Sequence, residues 1–244
     1  MHPLLTEVID AHGGLQRWHA HTAVQADITT GGGFWAMKGL VQDARTRQMQ
    51  VALHRQAASV RPFGNPDWRT NYTPQRVAIE TTDGRTVQER LAPRAAFDGH
   101  GMRTPWDPLH RAYFNGYALW TYLTTPFLLA LPGVEVTDIA PWHEGGETWR
   151  ALHARFPASI ASHGAEQTFY FGPDGLLRRH DYRVEVAGGF PAAQYVHDIV
   201  EVDGLRFPSR RRAYFRGTDL QPVRDLLLVS IDLGGFRLEP AGAR

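Results

Sequence analysis

Alternating polar and apolar residues occupy most of the chain and predict a protein built mainly from β-strands. The alternation starts near Val24 and runs through VQADITT, GFWAMKGLVQD, RTRQMQVALHRQ and RVAIETTDGRTVQERL. It returns after a break in GVEVTDIAPW, ETWRALHARF, EQTFYFGPDGLLRRHDYRVEV, AQYVHDIVEVDGLRFPSRRRAYF and VRDLLLVSIDL. Turn signals such as Asp83-Gly84, GPDG and VDG separate neighbouring segments. The pattern predicts one strongly curved antiparallel sheet of roughly eight to eleven strands.

Two segments follow helical spacing instead. The first is an N-terminal helical region within residues 1–20, which begins near Pro3 and is interrupted by Gly13-Gly14. The second lies within an aromatic stretch that carries seven aromatic residues between Trp106 and Phe127. It predicts a helical insertion at 108–125, because a proline at position 126 disfavours helix in the residue before it. With no linker or repeat in between, the sequence predicts a single domain over residues 1–244.

The aromatic helix can be a core plug, a lid over a ligand or a membrane segment. Tyr113, Tyr117 and Trp120 form one stripe at i, i+4 and i+7. Their polar tips need partners, which favours the wall of a pocket over a dry plug. Asn115-Gly116, Pro126 and several threonines interrupt the apolar run, so we expect no membrane span.

Composition narrows the function classes. The 26 basic and 25 acidic residues give a net charge of +1, which predicts no nucleic-acid partner. The absence of cysteine excludes disulfides and thiol chemistry. The N-terminus MHPLLTEVIDAHGG lacks the pattern of a signal peptide, which predicts a cytoplasmic location, or a periplasmic one if a leader was removed. No HExxH or other recognised ligand spacing occurs among the twelve histidines, so neither a metal nor a cofactor is predicted.

Several segments together resemble the LolA/LolB-like lipoprotein-carrier family. They are VIDAHGGLQRW, AAFDGHGMRTPW and the late hairpins YFGPDGLLRRHDYRVEV and VDGLRFPSRRRAYF. The resemblance implies a mainly β (α+β) fold, in which a curved antiparallel sheet forms an unclosed half-barrel with helices on its concave side. It also implies that acyl chains are held between the sheet and those helices.

The late hairpins supply the candidate site. A two-residue turn at Asp203-Gly204 sets Val202 opposite Leu205, Val200 opposite Phe207 and His197 opposite Arg210. On the preceding strand His180 and Tyr182 share a face with Val184, whereas the face with Arg179 and Asp181 is expected to be solvated. This first face is expected to continue onto Tyr195 and His197 of the next strand, on the same side as Trp120. The predicted ligand-binding residues are Trp106, Tyr113, Tyr117, Trp120, His180, Tyr182, Tyr195, His197 and Arg210.

Other interpretations of these residues stay open. His180, His197, Tyr182 and Asp98 are candidate acid–base groups, but aromatic and aliphatic residues at strand spacing are equally typical of a core. Arg210 and Arg212 could bind an anionic head group or could protect an edge strand from aggregation. The leading interpretation is a soluble protein that holds a hydrophobic or amphipathic small molecule. The alternatives are a hydrolase, cyclase or isomerase of a lipid-like or polyketide-like substrate, or an assembly protein without a ligand.

Overall fold

Thirteen antiparallel strands form one curved sheet that is not closed into a barrel. The computed structural model describes residues 1–242. The strands are β1 (His21–Gly31), β2 (Arg47–Ala52), β3 (Ala58–Arg61), β4 (Trp68–Tyr72), β5 (Arg76–Thr81), β6 (Thr86–Leu91), β7 (Glu135–Glu144), β8 (Glu147–Arg155), β9 (Glu166–Phe171), β10 (Leu177–Val184), β11 (Phe190–Val202), β12 (Leu205–Arg216) and β13 (Pro222–Pro240). Their order is β6-β5-β4-β3-β2-β1-β13-β12-β11-β10-β9-β8-β7, so the first and last strands pair at the centre.

Four α-helices accompany the sheet in the described part of the chain: α1 (Pro3–Ala11), α2 (Gly14–His19), α3 (Phe34–Met37) and α4 (Pro108–Thr124). Short 3₁₀ turns cover Pro93–Phe97, Phe127–Ala130 and Glu185–Ala187. The predicted fold class, a half-barrel with helices on the concave side, is confirmed. The strand number exceeds the expected range, partly because β3 and β4 are only four and five residues long. Strands this short show too few alternations to be recognised in sequence.

The segment GFWAMKGLVQD was expected to be a strand, and this prediction is wrong. Gly32 adopts a left-handed φ of 99°, which turns the chain out of β1 and into the short helix α3. Phe34 and Trp35 are then buried together, although they are adjacent in sequence. A strand would have sent one of the two rings to the outer face.

Helix α4 crosses the concave face and is buried along nearly its whole length. Its N-terminus is capped by Asp107, whose carboxylate accepts a hydrogen bond from the backbone N–H of His110 at 2.8 Å. The helix ends at Thr124, and Thr125 is extended, as the following proline requires. At Gly116 the backbone lies so close to β4 that a Cβ atom would stand 2.1 Å from Cγ of Tyr72. Glycine at this position therefore allows the helix to pack against the N-terminal half of the sheet.

A second, smaller buried cluster lies on the outer face of the C-terminal half. Arg179 and Asp181 are 0% and 2% exposed, and the Nε atom of Arg179 donates to Oδ1 of Asp181 at 2.7 Å. The rings of Trp142, Tyr170 and Tyr195 surround the guanidinium, with centroids 4.8, 5.2 and 5.4 Å from it. The expectation that this face is solvated is wrong, because aromatic side chains from β7, β9 and β11 cover the ion pair.

Candidate functional site

A narrow apolar cavity lies between α4 and the centre of the sheet. One wall is formed by Phe114, Ala118, Leu119 and Tyr122 of the helix. The facing wall comes from β1 and β10–β13 and contains Ile28, Tyr182, Val184, Ala192, Ala213, Leu228 and Ile231. Small alanines at facing positions leave space that larger side chains would fill. The cavity is therefore a consequence of side-chain size where the helix passes over the central strands.

The cavity is small in this structure. Its volume is about 30 Å³, whereas small-molecule sites measure roughly 300–1,000 Å³. A space of this size holds about one water molecule. A larger ligand requires α4 or its side chains to move away from the sheet.

A wider cleft of about 470 Å³ lies elsewhere, between the segment Phe156–Ala165 and the 3₁₀ turn Pro93–Phe97. It is open to solvent, and its lining includes Arg94, Tyr113 and Glu185. Arg94 bridges its sides by donating hydrogen bonds to the Ser162 carbonyl at 2.9 Å and to Glu185 at 2.5 Å. This mixed lining is less suited to an apolar ligand than that of the central cavity.

A buried hydrogen-bond network borders the central cavity. Nε2 of His163 lies 2.6 Å from the hydroxyl oxygen of Tyr122, which lies 3.0 Å from the hydroxyl oxygen of Tyr182. The imidazole of His163 also stacks on the Tyr182 ring, with centroids 4.0 Å apart. On its other side, Nδ1 of His163 lies 3.4 Å from the hydroxyl oxygen of Tyr117. The network therefore joins α4, β10 and the loop between β8 and β9.

Burial keeps this network uncharged at neutral pH. Loss of solvent lowers the pKa of His163 to about 3, and the positive charge of Arg94 acts in the same direction. Burial also lowers the pKa of His180 well below its usual value and raises the pKa of Tyr182 well above its own. The imidazoles are therefore neutral and the phenol is protonated, so these groups exchange hydrogen bonds without forming ion pairs.

Of the predicted ligand-binding residues, the structure places Tyr182 in the cavity wall and His180 just behind it. His180 stacks on Phe169 with centroids 4.2 Å apart, and its Nε2 atom lies 2.6 Å from Oε1 of Gln167. Both side chains lie on the concave side, together with Tyr122 of α4.

Tyr195, His197 and Arg210 lie on the outer face, and the prediction that His197 joins His180 inside is wrong. The hairpin register itself is as predicted, with Val200 opposite Phe207 and His197 opposite Arg210. Because Phe207 is buried in the main core, its partner Val200 faces inward, as do Ala192 and Val196, which belong to the same core. Odd-numbered residues of the strand, His197 among them, must then face outward. The residue opposite His180 is Gln194.

The aromatic residues of α4 pack into the core on different sides of the helix. Trp120 packs near Trp18 and Phe127, away from the central cavity, and is 1% exposed. Tyr113 and Tyr117 lie on the side of α4 near Tyr72 and His163. Trp120 therefore lies on the same concave side as His180 and Tyr182 but does not line the central cavity, because the stripe with Ala118 and Tyr122 faces that cavity.

Trp106 packs beside Phe97 under the side chain of Lys38, whose Nζ lies 4.5 Å from its ring centroid. Asp98 is exposed at the end of the 3₁₀ turn Pro93–Phe97. Its neighbour His100 packs against Phe97 and His110, with ring centroids 5.7 and 5.1 Å apart. The acid–base role suggested for Asp98 stays a prediction.

Sequence reasoning missed the buried cations of the concave side. Lys38, Arg47, Arg111 and Arg211 are between 0% and 8% exposed. Arg211 donates to Oε1 of Gln194 at 2.9 Å and to the carbonyl of Tyr122 at 2.7 Å. Burial lowers the pKa of Arg211 to about 10. The alternation of buried and exposed positions in β2 could have indicated that Arg47 is buried, because Arg47 shares a strand face with Met49 and Val51.

Two features, a metal-binding cluster and a membrane-spanning helix, are absent from residues 1–242. No group of three histidine, aspartate or glutamate side chains converges there into a site that could hold a metal ion. No helix in this part of the chain is long and apolar enough to cross a membrane.

Comparisons with solved structures identify the fold. A LolA-superfamily protein from Nitrosomonas europaea superimposes with a TM-score of 0.52 at 9% identity, covering 97% of this chain and 93% of that one. A DUF1329-family protein from Desulfovibrio piger gives 0.54 at 10% identity, covering 99% and 93%. A domain assigned to outer-membrane lipoprotein sorting, from Vibrio parahaemolyticus, gives 0.55 at 8% identity, covering 99% and 92%. No protein-family model and no curated protein sequence matches the chain. The structural likeness shows that the chain has a LolA-like fold, as the resemblance predicted.

The predicted cytoplasmic location is contradicted by these neighbours. They include the domain from Vibrio parahaemolyticus that is named for outer-membrane lipoprotein sorting, which points away from the cytoplasm.

Proposed function

We propose that the protein binds a hydrophobic or amphipathic small molecule in the cavity between α4 and the concave face of the sheet. The observation that carries this proposal is the apolar cavity itself, whose walls are a helix on one side and the central strands on the other. An apolar space with a few polar groups at its border is the usual form of a small-molecule site. The likeness to a domain assigned to lipoprotein sorting supports the same class of ligand.

The packing of α4 suggests how the small cavity admits a ligand. Gly116 holds the helix tightly against Tyr72 of β4. Beyond the centre of the sheet the helix is joined to the strands by a hydrogen bond between the hydroxyls of Tyr122 and Tyr182 and by one from Arg211 to the Tyr122 carbonyl, and an opening of the cavity must break these contacts. Thr121, Thr124 and Thr125 donate their hydroxyl protons to carbonyls of the helix itself. We propose that the helix pivots near β4, so that its cavity-facing side moves away from the C-terminal half of the sheet.

We favour binding over the alternative of acid–base catalysis. The Nε2 atom of His180 is engaged by Gln167 at 2.6 Å, and the hydroxyl of Tyr182 is engaged by Tyr122 at 3.0 Å. Catalytic groups of this kind need a free position within hydrogen-bond reach of a substrate. The wall residues instead satisfy one another, which suits a container for an apolar molecule.

The test is titration of the protein with the uncharged fluorescent probe N-phenyl-1-naphthylamine. Ala118→Leu adds three carbons to the cavity wall, and the strain of overpacking costs about 1–3 kcal/mol. We expect this change to weaken probe binding by about tenfold or more. Ala36→Leu is the matched control, because Ala36 is exposed on α3. A wild-type protein that binds no probe, or equal affinities for wild type and Ala118→Leu, would contradict the proposal.

A further inference from the structure

One end of the central cavity is polar and positively charged. Arg47 of β2 lines the cavity there, together with Thr30 and Asn115. Arg111 lies one helical turn before Asn115 on α4. The two arginine side chains belong to residues only 5% and 8% exposed. Arg47 thus brings one buried guanidinium to the end of the cavity, and the guanidinium of Arg111 lies against the ring of Trp35, which also lines the cavity.

A chain of hydrogen bonds joins these two groups. Arg47 donates from Nη2 to the hydroxyl of Thr30 at 2.5 Å, and Gln42 donates to the same hydroxyl at 3.2 Å. Arg111 donates from Nη2 to Oε1 of Gln42 at 3.4 Å. Arg111 also donates to the carbonyl of Val41 at 3.0 Å.

Neither guanidinium has an anionic partner among residues 1–242. No ion pair within 4.0 Å involves Arg47 or Arg111 there, and the Nε atoms of both lack a hydrogen-bond partner. The nearby carboxylate of Asp43 is half-buried and is engaged by Arg45 at 2.9 Å. Its negative charge raises the pKa of Arg47 and Arg111, but the effect of burial on both is larger. The remaining support for Arg111 is the ring of Trp35, whose centroid lies 4.4 Å from the guanidinium carbon.

Such an arrangement is costly for the ligand-free protein. Burying a cation without a counter-charge is unfavourable, and two like charges close together add repulsion. Burial lowers the pKa of Arg111 to about 10, and the positive charge of Arg47 contributes in the same direction. An anion placed between the two groups would remove both costs and would satisfy the free Nε–H donors.

We propose that Arg47 and Arg111 bind the anionic head of an amphiphile whose alkyl chain occupies the central cavity. The head is a carboxylate or a phosphate, since both accept paired hydrogen bonds from guanidinium groups. This inference rests on the proposed function and adds the charge of the ligand to it.

The test compares three ligands with the same twelve-carbon chain below their critical micelle concentrations. Dodecanoate, dodecyl phosphate and dodecan-1-ol are each titrated into the wild-type protein loaded with N-phenyl-1-naphthylamine, and the displacement of the probe is measured. We expect both anions to bind at least about tenfold more tightly than the alcohol, as charge-assisted hydrogen bonds require. Inorganic phosphate alone should not displace the probe, because it has no chain to fill the cavity.

The outcomes separate this inference from the proposed function. Equal affinities of the alcohol and the anions would overturn the anionic-head proposal and leave apolar binding intact. Failure of all three ligands to displace the probe would overturn both. Displacement by inorganic phosphate would show a site for free phosphate and would also overturn the proposal.

Variants locate the charge that is responsible. We expect Arg47→Gln to reduce the preference for dodecanoate over dodecan-1-ol by about tenfold, whatever it does to the affinity for the alcohol itself. Arg111→Gln tests the second cation independently, in case the first variant is poorly folded. Arg61→Gln is the control, because Arg61 is exposed on β3 and contacts Gln48 instead. An undiminished preference for the anion in both buried-arginine variants would refute the assignment.

Discussion

Acidification from pH 7 to pH 5 should destabilise the protein through its buried histidines. His163 and His12 are both 0% exposed. Burial lowers their pKa values from 6.5 to about 3 and about 4, respectively. The unfolded chain takes up protons as the pH falls through 6.5, whereas the folded protein takes them up only near pH 3–4. Stability conferred by the neutral imidazoles is therefore present above pH 6.5 and is lost progressively below it.

The magnitude follows from this difference in protonation. A histidine that titrates only in the unfolded state costs about 2 kcal/mol of unfolding free energy between pH 7 and pH 5. His12 and His163 together therefore contribute about 4 kcal/mol. The pKa of His180 is also lowered by burial, and it adds to the loss. Carboxylates titrate mainly below this window, so they contribute little to the change.

Urea denaturation at the two pH values measures the effect directly. We expect His163→Gln to reduce the difference between the two unfolding free energies by about 2 kcal/mol, whatever it does to stability at pH 7. His143→Gln, at an exposed position on β7, is the control. An unfolding free energy equal at both pH values in the wild type would refute the reasoning. So would a pH dependence in His163→Gln identical to that of the wild type.

Three other substitutions test the packing. Gly116→Ala should lower the free energy of unfolding, measured by thermal unfolding, by about 1–3 kcal/mol, because the added Cβ would collide with Tyr72. Unchanged stability would contradict the close contact. Asp181→Asn should lower the free energy of unfolding by about 3 kcal/mol, because it leaves the buried Arg179 with only the more distant carboxylate of Glu144, 3.6 Å away. Glu201→Gln, in an exposed ion pair, should cost less than about 1 kcal/mol; equal costs would count against the outer cluster. Trp120→Ala should lower the free energy of unfolding by about 3–5 kcal/mol and leave the affinity for N-phenyl-1-naphthylamine unchanged. Loss of probe binding without loss of stability would show that Trp120 lines the site.

The fold could be predicted largely because strand alternation and turn chemistry are local. The turn at Asp203-Gly204 indicates the register of the hairpin between β11 and β12, since both residues take a positive φ there, 51° and 76°. The end of α4 followed in the same way from the proline at position 126. The short helix α3 could not be predicted, because a segment as short as the one around Phe34 and Trp35 does not show whether its spacing is that of a helix or a strand.

The site was harder to predict, because side-chain direction depends on long-range pairing. His197 was assigned to the wrong face, although its partner Arg210 was correct. The buried Phe207 on the same hairpin could have fixed the direction of every side chain. His163 lies in a loop without periodicity, so only the tertiary structure brings it to Tyr122 and Tyr182.

The buried arginines show a different limit. Composition suggests that arginines are exposed, but two of the buried ones carry a strand pattern that argues otherwise. Arg47 alternates with Met49 and Val51, and Arg211 shares a strand face with Phe207 and Ala213. Arg111 lies on a helix whose whole circumference is covered, which no local pattern reveals. Arg47 and Arg111 are costly to bury and have no ion-pair partner within residues 1–242. They are therefore more informative about a ligand than the aromatic residues of α4.

The central claim is that an apolar chain binds between α4 and the central strands, and the most direct measurement is the position of a bound ligand. Crystals grown with 12-bromododecan-1-ol give an anomalous diffraction signal from the bromine atom. The account predicts a bromine peak inside the cavity bordered by Ala118, Ala192 and Ala213, with α4 displaced from the sheet. A bromine peak confined to the cleft near Arg94 or to the outer face would contradict it.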